Sequence, residues 1–121
     1  MLGSLQQEVM EVVWSRGDAT VAEVHDDLQE ERAIAYTTVL STMRALERRG
    51  FLTHEADGKA HRFHALVSRQ QYTRDSVDRL VTRLFGGEPE RLMSHLVGAE
   101  QLSARDLRRI RRLLEGEGRR P

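Results

Sequence analysis

Residues Ala35 to Gly50, AYTTVLSTMRALERRG, make one amphipathic segment with two unlike faces. Val39, Met43 and Leu46 recur at helical spacing and predict a buried stripe. The other side carries Thr37, Thr38, Ser41, Arg44 and Arg48, and Glu47 is the only carboxylate in the segment. A merely solvated helix face mixes both charge signs. This one offers hydroxyls and guanidiniums, the groups that approach phosphates and base edges. A second amphipathic stretch precedes it and a Gly-centred basic hairpin pattern follows. That order implies a winged helix-turn-helix. The expected fold class is mainly α with a small antiparallel sheet: a winged helix-turn-helix plus a C-terminal helical dimerisation segment.

The remaining elements are read from caps and periodicity. Ser4 and Gln7 form an S-x-x-Q start to a first helix with Leu5, Val9, Val12 and Val13 inward, ended by Gly17 after Trp14. Thr20 and Glu23 repeat the capping pattern for a helix to about Gln29, with Val21, Val24 and Leu28 inward. Phe51–Glu55 and Ala60–His64 are strand candidates around Ala56-Asp57-Gly58-Lys59, where Asp-Gly signals a hairpin. A short strand around Ala19 completes the sheet. Ser68 and Gln71 cap a long helix carrying Tyr72, Val77, Leu80, Val81 and Leu84, and Gly86-Gly87 ends it. Pro89 opens a short helix with Leu92, Met93, Leu96 and Val97, closed by Gly98. Ser103 and Asp106 cap a last helix with Leu107, Ile110, Leu113 and Leu114, followed by a Gly- and Arg-rich tail expected to fray. The predicted division is 1–67, a DNA-binding domain, and 68–121, a helical dimerisation domain.

The formal net charge is zero, so its distribution matters more than its sum. Residues 1–31 hold Arg16 against Glu8, Glu11, Asp18, Glu23, Asp26, Asp27, Glu30 and Glu31. Residues 32–66 reverse the balance, with Arg32, Arg44, Arg48, Arg49, Lys59 and Arg62 against Glu47, Glu55 and Asp57. The basic patch therefore coincides with the recognition helix and wing. Without cysteine the chain has no disulfide framework or thiolate chemistry. The opening MLGSLQQEVM lacks a basic stretch followed by an apolar core, and no apolar run approaches the ~20 residues of a membrane span. These features predict a soluble, cytoplasmic, nucleoid-associated protein. No phosphate-cradling loop, nucleophile elbow or paired-carboxylate pattern occurs, so neither an enzyme nor a cofactor is expected.

The candidate DNA contacts are Tyr36, Thr37, Thr38, Ser41, Arg44 and Arg48 on the helix, with Lys59 and Arg62 on a wing along the backbone or minor groove. Dimerisation is assigned to Leu80, Leu84, Leu92, Leu96, Leu107, Ile110 and Leu114, because one chain offers too little mass to cover their stripes. Two-fold dimers read two-fold operators. His54 and His61 are the only metal candidates: an Asp57-Gly58 loop sets them directly cross-strand. His64 then points to the opposite face, leaving too few ligands for a closed zinc site, and no metal is assigned. A histidine-based metal-sensing repressor is one alternative. Another is a winged-helix protein-interaction module without DNA binding, which calls for an apolar or acidic third helix. Trp14, Met43 and Met93 read as core, and the run Arg105, Arg108, Arg109, Arg111, Arg112 as a solvated face.

Residues Gly3–Trp14, the V-x-x-V-H of Val21 to His25, Ala35-Tyr36-Thr37-Thr38-Val39, the wing Asp57–Phe63 and Phe85-Gly86-Gly87 together resemble the penicillinase-repressor family (BlaI/MecI/CopY type). The resemblance spans nearly the whole chain. It implies a dimeric bacterial repressor on inverted-repeat operators, commonly with TACA/TGTA half-sites, with Thr37, Thr38 and Ser41 facing DNA. It also implies a regulatory protease as a possible further partner. Two departures stand out. Many relatives carry a basic residue where this chain has Ala45. The Asn-Phe bond cut in antibiotic-responsive members corresponds to His95-Leu96, and the C-terminal cysteine cluster of copper-responsive members is missing.

Overall fold

Side chains that reach back to backbone N–H groups decide where most helices begin. The computed structural model describes residues 1–114, the side chain of Leu114 excepted. Helix α1 spans Ser4–Arg16, and its first backbone bond runs from Gln7 N to Gly3 O at 2.9 Å. The N-cap is therefore Gly3, one residue before the expected Ser4. Gly3 N donates to Gln6 Oε1 at 3.3 Å, and glycine has no side chain to complete the reciprocal half of a capping box. Strand β1, Asp18–Thr20, falls where a short strand around Ala19 is expected. Helix α2, Val21–Gln29, has the full box: Glu23 N donates to Thr20 Oγ1 at 3.2 Å and Thr20 N to Glu23 Oε1 at 2.9 Å.

Helix α3 covers Tyr36–Arg48 and ends in a Schellman motif. Phe51 N donates to Leu46 O at 2.9 Å and Gly50 N to Glu47 O at 3.1 Å, with Gly50 at φ +85°. A side chain at that φ would crowd the backbone, which is why glycine stands there. Strands β2, Leu52–Asp57, and β3, Ala60–Ala65, follow. The sheet is antiparallel with order β1-β3-β2, so the strand nearest the N-terminus docks on the far side of the hairpin.

The hairpin register differs from the sequence expectation. Asp57 pairs with Ala60, so the loop is Gly58-Lys59 rather than Asp57-Gly58, and His54 faces Phe63 instead of His61. Gly58 has φ +63° and Lys59 does not have positive φ, the pattern of a type II′ turn with glycine first. Partners slip by two residues, so the faces are preserved. His54, His61 and Phe63 still share one face, and Arg62 and His64 the other.

The core of this body is Val9, Met10, Val13, Val24, Val39, Met43 and Leu46, each at 0% exposure, closed by Ala19, Leu52 and Phe63 from the sheet. All three residues of the α3 apolar stripe are thus buried. On α1, Met10 takes the deep position, while Leu5 and Val12 are only partly covered.

Helix α4, Arg69–Phe85, begins with Ser68 Oγ accepting from Gln71 N at 3.1 Å. Tyr72 is buried: its hydroxyl accepts from Leu2 N at 3.1 Å, and its ring lies 5.8 Å from Trp14 and 6.0 Å from Phe51. Trp14 Nε1 donates to Val67 O at 2.8 Å. These contacts attach the first turns of α4 to the winged helix. The chain forms two compact units that meet between Ser76 and Val77, inside α4.

The second unit holds the rest of α4, α5 (Pro89–Gly98, with Pro89 at its first turn) and α6 (Ala104–Leu114, boxed by Ser103 and Asp106). Helix α5 ends at Gly98, where a closing glycine is expected. The chain turns at Glu100, φ +57°, with Gln101 N donating to Leu96 O and Glu100 N to Val97 O, both at 3.0 Å. The Gly- and Arg-rich tail lies outside the described residues, as does the Leu114 side chain. Among the described residues no helix is long and apolar enough to cross a membrane.

Candidate nucleic-acid interface

The exposed side of α3 presents Tyr36, Thr37, Thr38, Ser41, Arg44 and Arg48, all open to solvent. This follows from burial of Val39, Met43 and Leu46, which fixes the rotation of the helix about its axis. Ser41 Oγ and Thr42 Oγ1 donate to Thr38 O at 3.3 and 2.7 Å, turning hydroxyls back onto the helix and leaving the side chain of Thr38 outward. The first turn contains no acid, so the positive end of the helix dipole is uncompensated. The one carboxylate, Glu47, accepts from His54 Nδ1 on β2.

The sequence alone gives no role to the histidine of V-x-x-V-H; its position explains it. His25 Nε2 donates to Ile34 O at 2.8 Å, and its ring meets Tyr36 edge-on with centroids 5.7 Å apart. It thereby fixes the α2–α3 turn and the residue that opens α3.

Which basic residues remain available is decided by intramolecular pairing. Arg32 pairs with Glu8 at 2.7 Å, Arg16 with Asp27 at 2.8 Å, and Arg69 with Glu11 at 2.9 Å. Arg49 donates to Gln6 Oε1 and Met1 O and lies over the Phe51 ring. Glu8, Glu11 and Asp27 are thus answered by arginines, two of them distant in sequence. Arg44, Arg48 and Lys59 are exposed and have no hydrogen-bonding or ionic partner among the described residues. Arg44 and Lys59 also line one groove of about 280 Å³ between α3 and the hairpin, together with Tyr36, Leu40, His54 and His61. The geometry therefore gathers Tyr36, Arg44 and Lys59 around one concave surface.

Arg62, expected on the wing beside Lys59, lies among acidic side chains. Its Nη1 lies 2.9 Å from Asp18 Oδ1 and 3.1 Å from Glu23 Oε1, and its Nε 3.0 Å from Asp57 Oδ2. Hydrogen bonds to Asp18 and then Asp57 push its guanidinium pKa up. Three carboxylates thus take up its Nη1 and Nε. Glu23 is held below the usual carboxylate range, first by the Thr20 backbone N–H and then by Arg62 and Arg16.

His54 and His61 stack at 4.2 Å with planes 12° apart, a diagonal pair rather than the directly cross-strand one expected. Stacked rings present faces to each other instead of converging nitrogens. Among the described residues no group of three or more His, Cys, Asp or Glu side chains is placed to hold a metal.

The second unit keeps apolar side chains in solvent: Val77, Leu80, Leu84 (71% exposed), Val97, Leu107 and Leu113. Leu92, Leu96 and Ile110 are half-buried.

Comparison with known proteins agrees with this architecture. The profile of the family described as penicillinase repressor matches residues 2–116. The transcriptional regulator BlaI of Mycobacterium tuberculosis is 34% identical over 126 residues, covering 99% of this chain and 90% of that protein. The methicillin resistance regulatory protein MecI of Mammaliicoccus sciuri is 21% identical over 113 residues, covering 93% and 92%. Among solved structures, a mutant of the E. coli regulator MarR superposes with a TM-score of 0.53 at 12% identity, covering 94% of this chain and 76% of that one, which is a likeness of fold. Matched along almost its entire length, with the winged helix in place, the chain belongs to the penicillinase repressor family of transcriptional regulators, not to a family of enzymes.

Proposed function

We propose that this regulator acts as a cytoplasmic homodimeric repressor that binds an inverted-repeat operator in double-stranded DNA. The winged helix supplies the DNA-binding domain and the C-terminal helices the dimerisation domain. Helix α3 enters the major groove, where Tyr36, Thr37, Thr38 and Ser41 meet base edges and nearby phosphates, and Arg44 extends the same surface. Arg48 and Lys59 lie along the backbone as phosphate ligands. The observation that carries this reading is the sorting of cations: ion pairs absorb Arg16, Arg32, Arg62 and Arg69, leaving Arg44, Arg48 and Lys59 free around a face of α3 whose one carboxylate, Glu47, is engaged by His54.

Dimerisation rests on the second unit, where Leu80, Leu84, Val97, Leu107 and Leu113 stay exposed in a single chain. A matching segment of a second copy covers such stripes with closed two-fold symmetry, and an inverted repeat of half-sites follows from that symmetry. Selection from a random duplex pool tests the proposal. The recovered sequences should share an inverted repeat and bind two chains per duplex. A pool without enrichment at moderate salt, or one chain bound per asymmetric site, contradicts it.

A further inference from the structure

We infer that Arg62 is a positioning residue that clamps the wing to the body of the winged helix, so that Lys59 is presented to DNA at a fixed place. Arg62 sits at the centre of β3, the middle strand, and is the register partner of both Thr20 on β1 and Glu55 on β2. Side chains alternate along a strand, so Asp18, Asp57 and Arg62 share the sheet face opposite Phe63. The guanidinium reaches three carboxylates from three places: Asp18 on β1, Glu23 in the first turn of α2, and Asp57 at the hairpin tip. Glu23 also caps α2 through Thr20 and approaches Arg16 at 3.5 Å. The tip of the wing is thereby tied through one planar side chain to β1 and to the start of α2.

The contact with Asp57 matters most for function. A two-stranded ribbon projecting from a sheet has few restraints of its own. Beyond Asp57 the hairpin holds only Gly58 and Lys59 before β3 returns. The bond from Arg62 Nε to Asp57 Oδ2 at 3.0 Å restrains the residue two positions before Lys59. A planar guanidinium satisfies several carboxylates at fixed angles, which a lysine ammonium does not reproduce. Holding the tip in place strengthens DNA binding through Lys59 without Arg62 touching DNA.

This inference builds on the DNA-binding reading above, and its experiment separates the two. Asp57→Asn keeps a residue suited to the turn while weakening the tie. If Arg62 were a phosphate ligand restrained by Asp57, removing that negative charge would free it and tighten binding. A clamp makes the opposite demand: the variant loses about fivefold in operator affinity, the effect of one weakened ion pair. Arg62→Gln is expected to weaken binding further, and Arg62→Lys to restore only part of the loss.

Amide hydrogen exchange without DNA gives a second readout. At Ala60, His61 and Arg62 it should quicken in Asp57→Asn and Arg62→Gln while the core amides of α3 keep their protection. Tighter binding by Asp57→Asn overturns the clamp, as does unchanged wing exchange in both variants. If the unaltered protein bound no duplex, the DNA-binding reading would fail, and the exchange comparison would still decide whether Arg62 holds the wing.

Discussion

A single residue, Glu23, links helix capping, the acid–base behaviour of the fold and the wing. Its carboxylate accepts from Thr20 N and pairs with Arg62 and Arg16, which together hold its pKa below the ordinary range. Asp27 is lowered too, first by its hydrogen bond from Arg16. A carboxyl with a depressed folded-state pKa stabilises fully above its unfolded value, near 4, and loses that contribution as pH falls through the lower folded value. The melting temperature should therefore stay level above about pH 5 and decline below about pH 4, and Glu23→Gln should make the decline shallower. An equally steep acid limb in the variant would remove Glu23 from this role. Much at this scale was legible in the sequence, since the Thr20–Glu23 box is local. The sorting of arginines was not. Arg32 finds Glu8 24 positions away, Arg62 finds Asp18 44 away, and Arg69 finds Glu11 58 away. No local pattern announces such pairs, so Arg62 and Lys59 looked equivalent on the wing until the sheet brought the acids together.

Elements were legible where period and cap agreed, and less so where a turn offered alternatives. The α3 stripe of Val39, Met43 and Leu46 locates the helix because its spacing has one burial solution. The hairpin offered two, with glycine second or first in the loop, and the structure uses Gly58 first. Two helix ends with the same geometry but different residues make a paired prediction. Gly50 ends α3 with φ +85°, whereas Glu100 ends α5 with φ +57°. Gly50→Ala should destabilise the fold by roughly 1 kcal/mol, and Glu100→Gly should stabilise the α5 end by roughly 0.5–1 kcal/mol, because only glycine adopts that region without strain. Chemical denaturation of the two variants checks both signs, and a stabilising Gly50→Ala would refute the assignment of its turn. The left-handed residue of the turn after α5 is Glu100, two positions past the helix's last residue Gly98, and no glycine marks it in the sequence.

For the molecule as a whole, two surfaces stand open among the described residues: the cationic face of α3 and the apolar stripes of α4 to α6. Leu84 is 71% exposed, so Leu84→Asp should leave the single chain folded by circular dichroism. Across a two-fold interface the change occurs twice, so sedimentation should show dimer affinity reduced by at least about 100-fold. An unaltered dimer would place the interface elsewhere. The apolar stripes of α4 to α6 were visible in the sequence as periodicity, whereas the packing of Tyr72 into the first unit was not. Free and paired cations can then be told apart by the salt dependence of binding to the selected operator. Each phosphate contact contributes about 0.9 to the slope of log affinity against log salt, so Lys59→Ala should lower the slope by about 1.8 per dimer, and Arg48→Ala likewise. Arg69→Ala, whose arginine is occupied by Glu11, should leave the slope unchanged. Equal slopes for Lys59→Ala and the unaltered protein, or a fall as large for Arg69→Ala, would contradict the assignment of the DNA-facing surface.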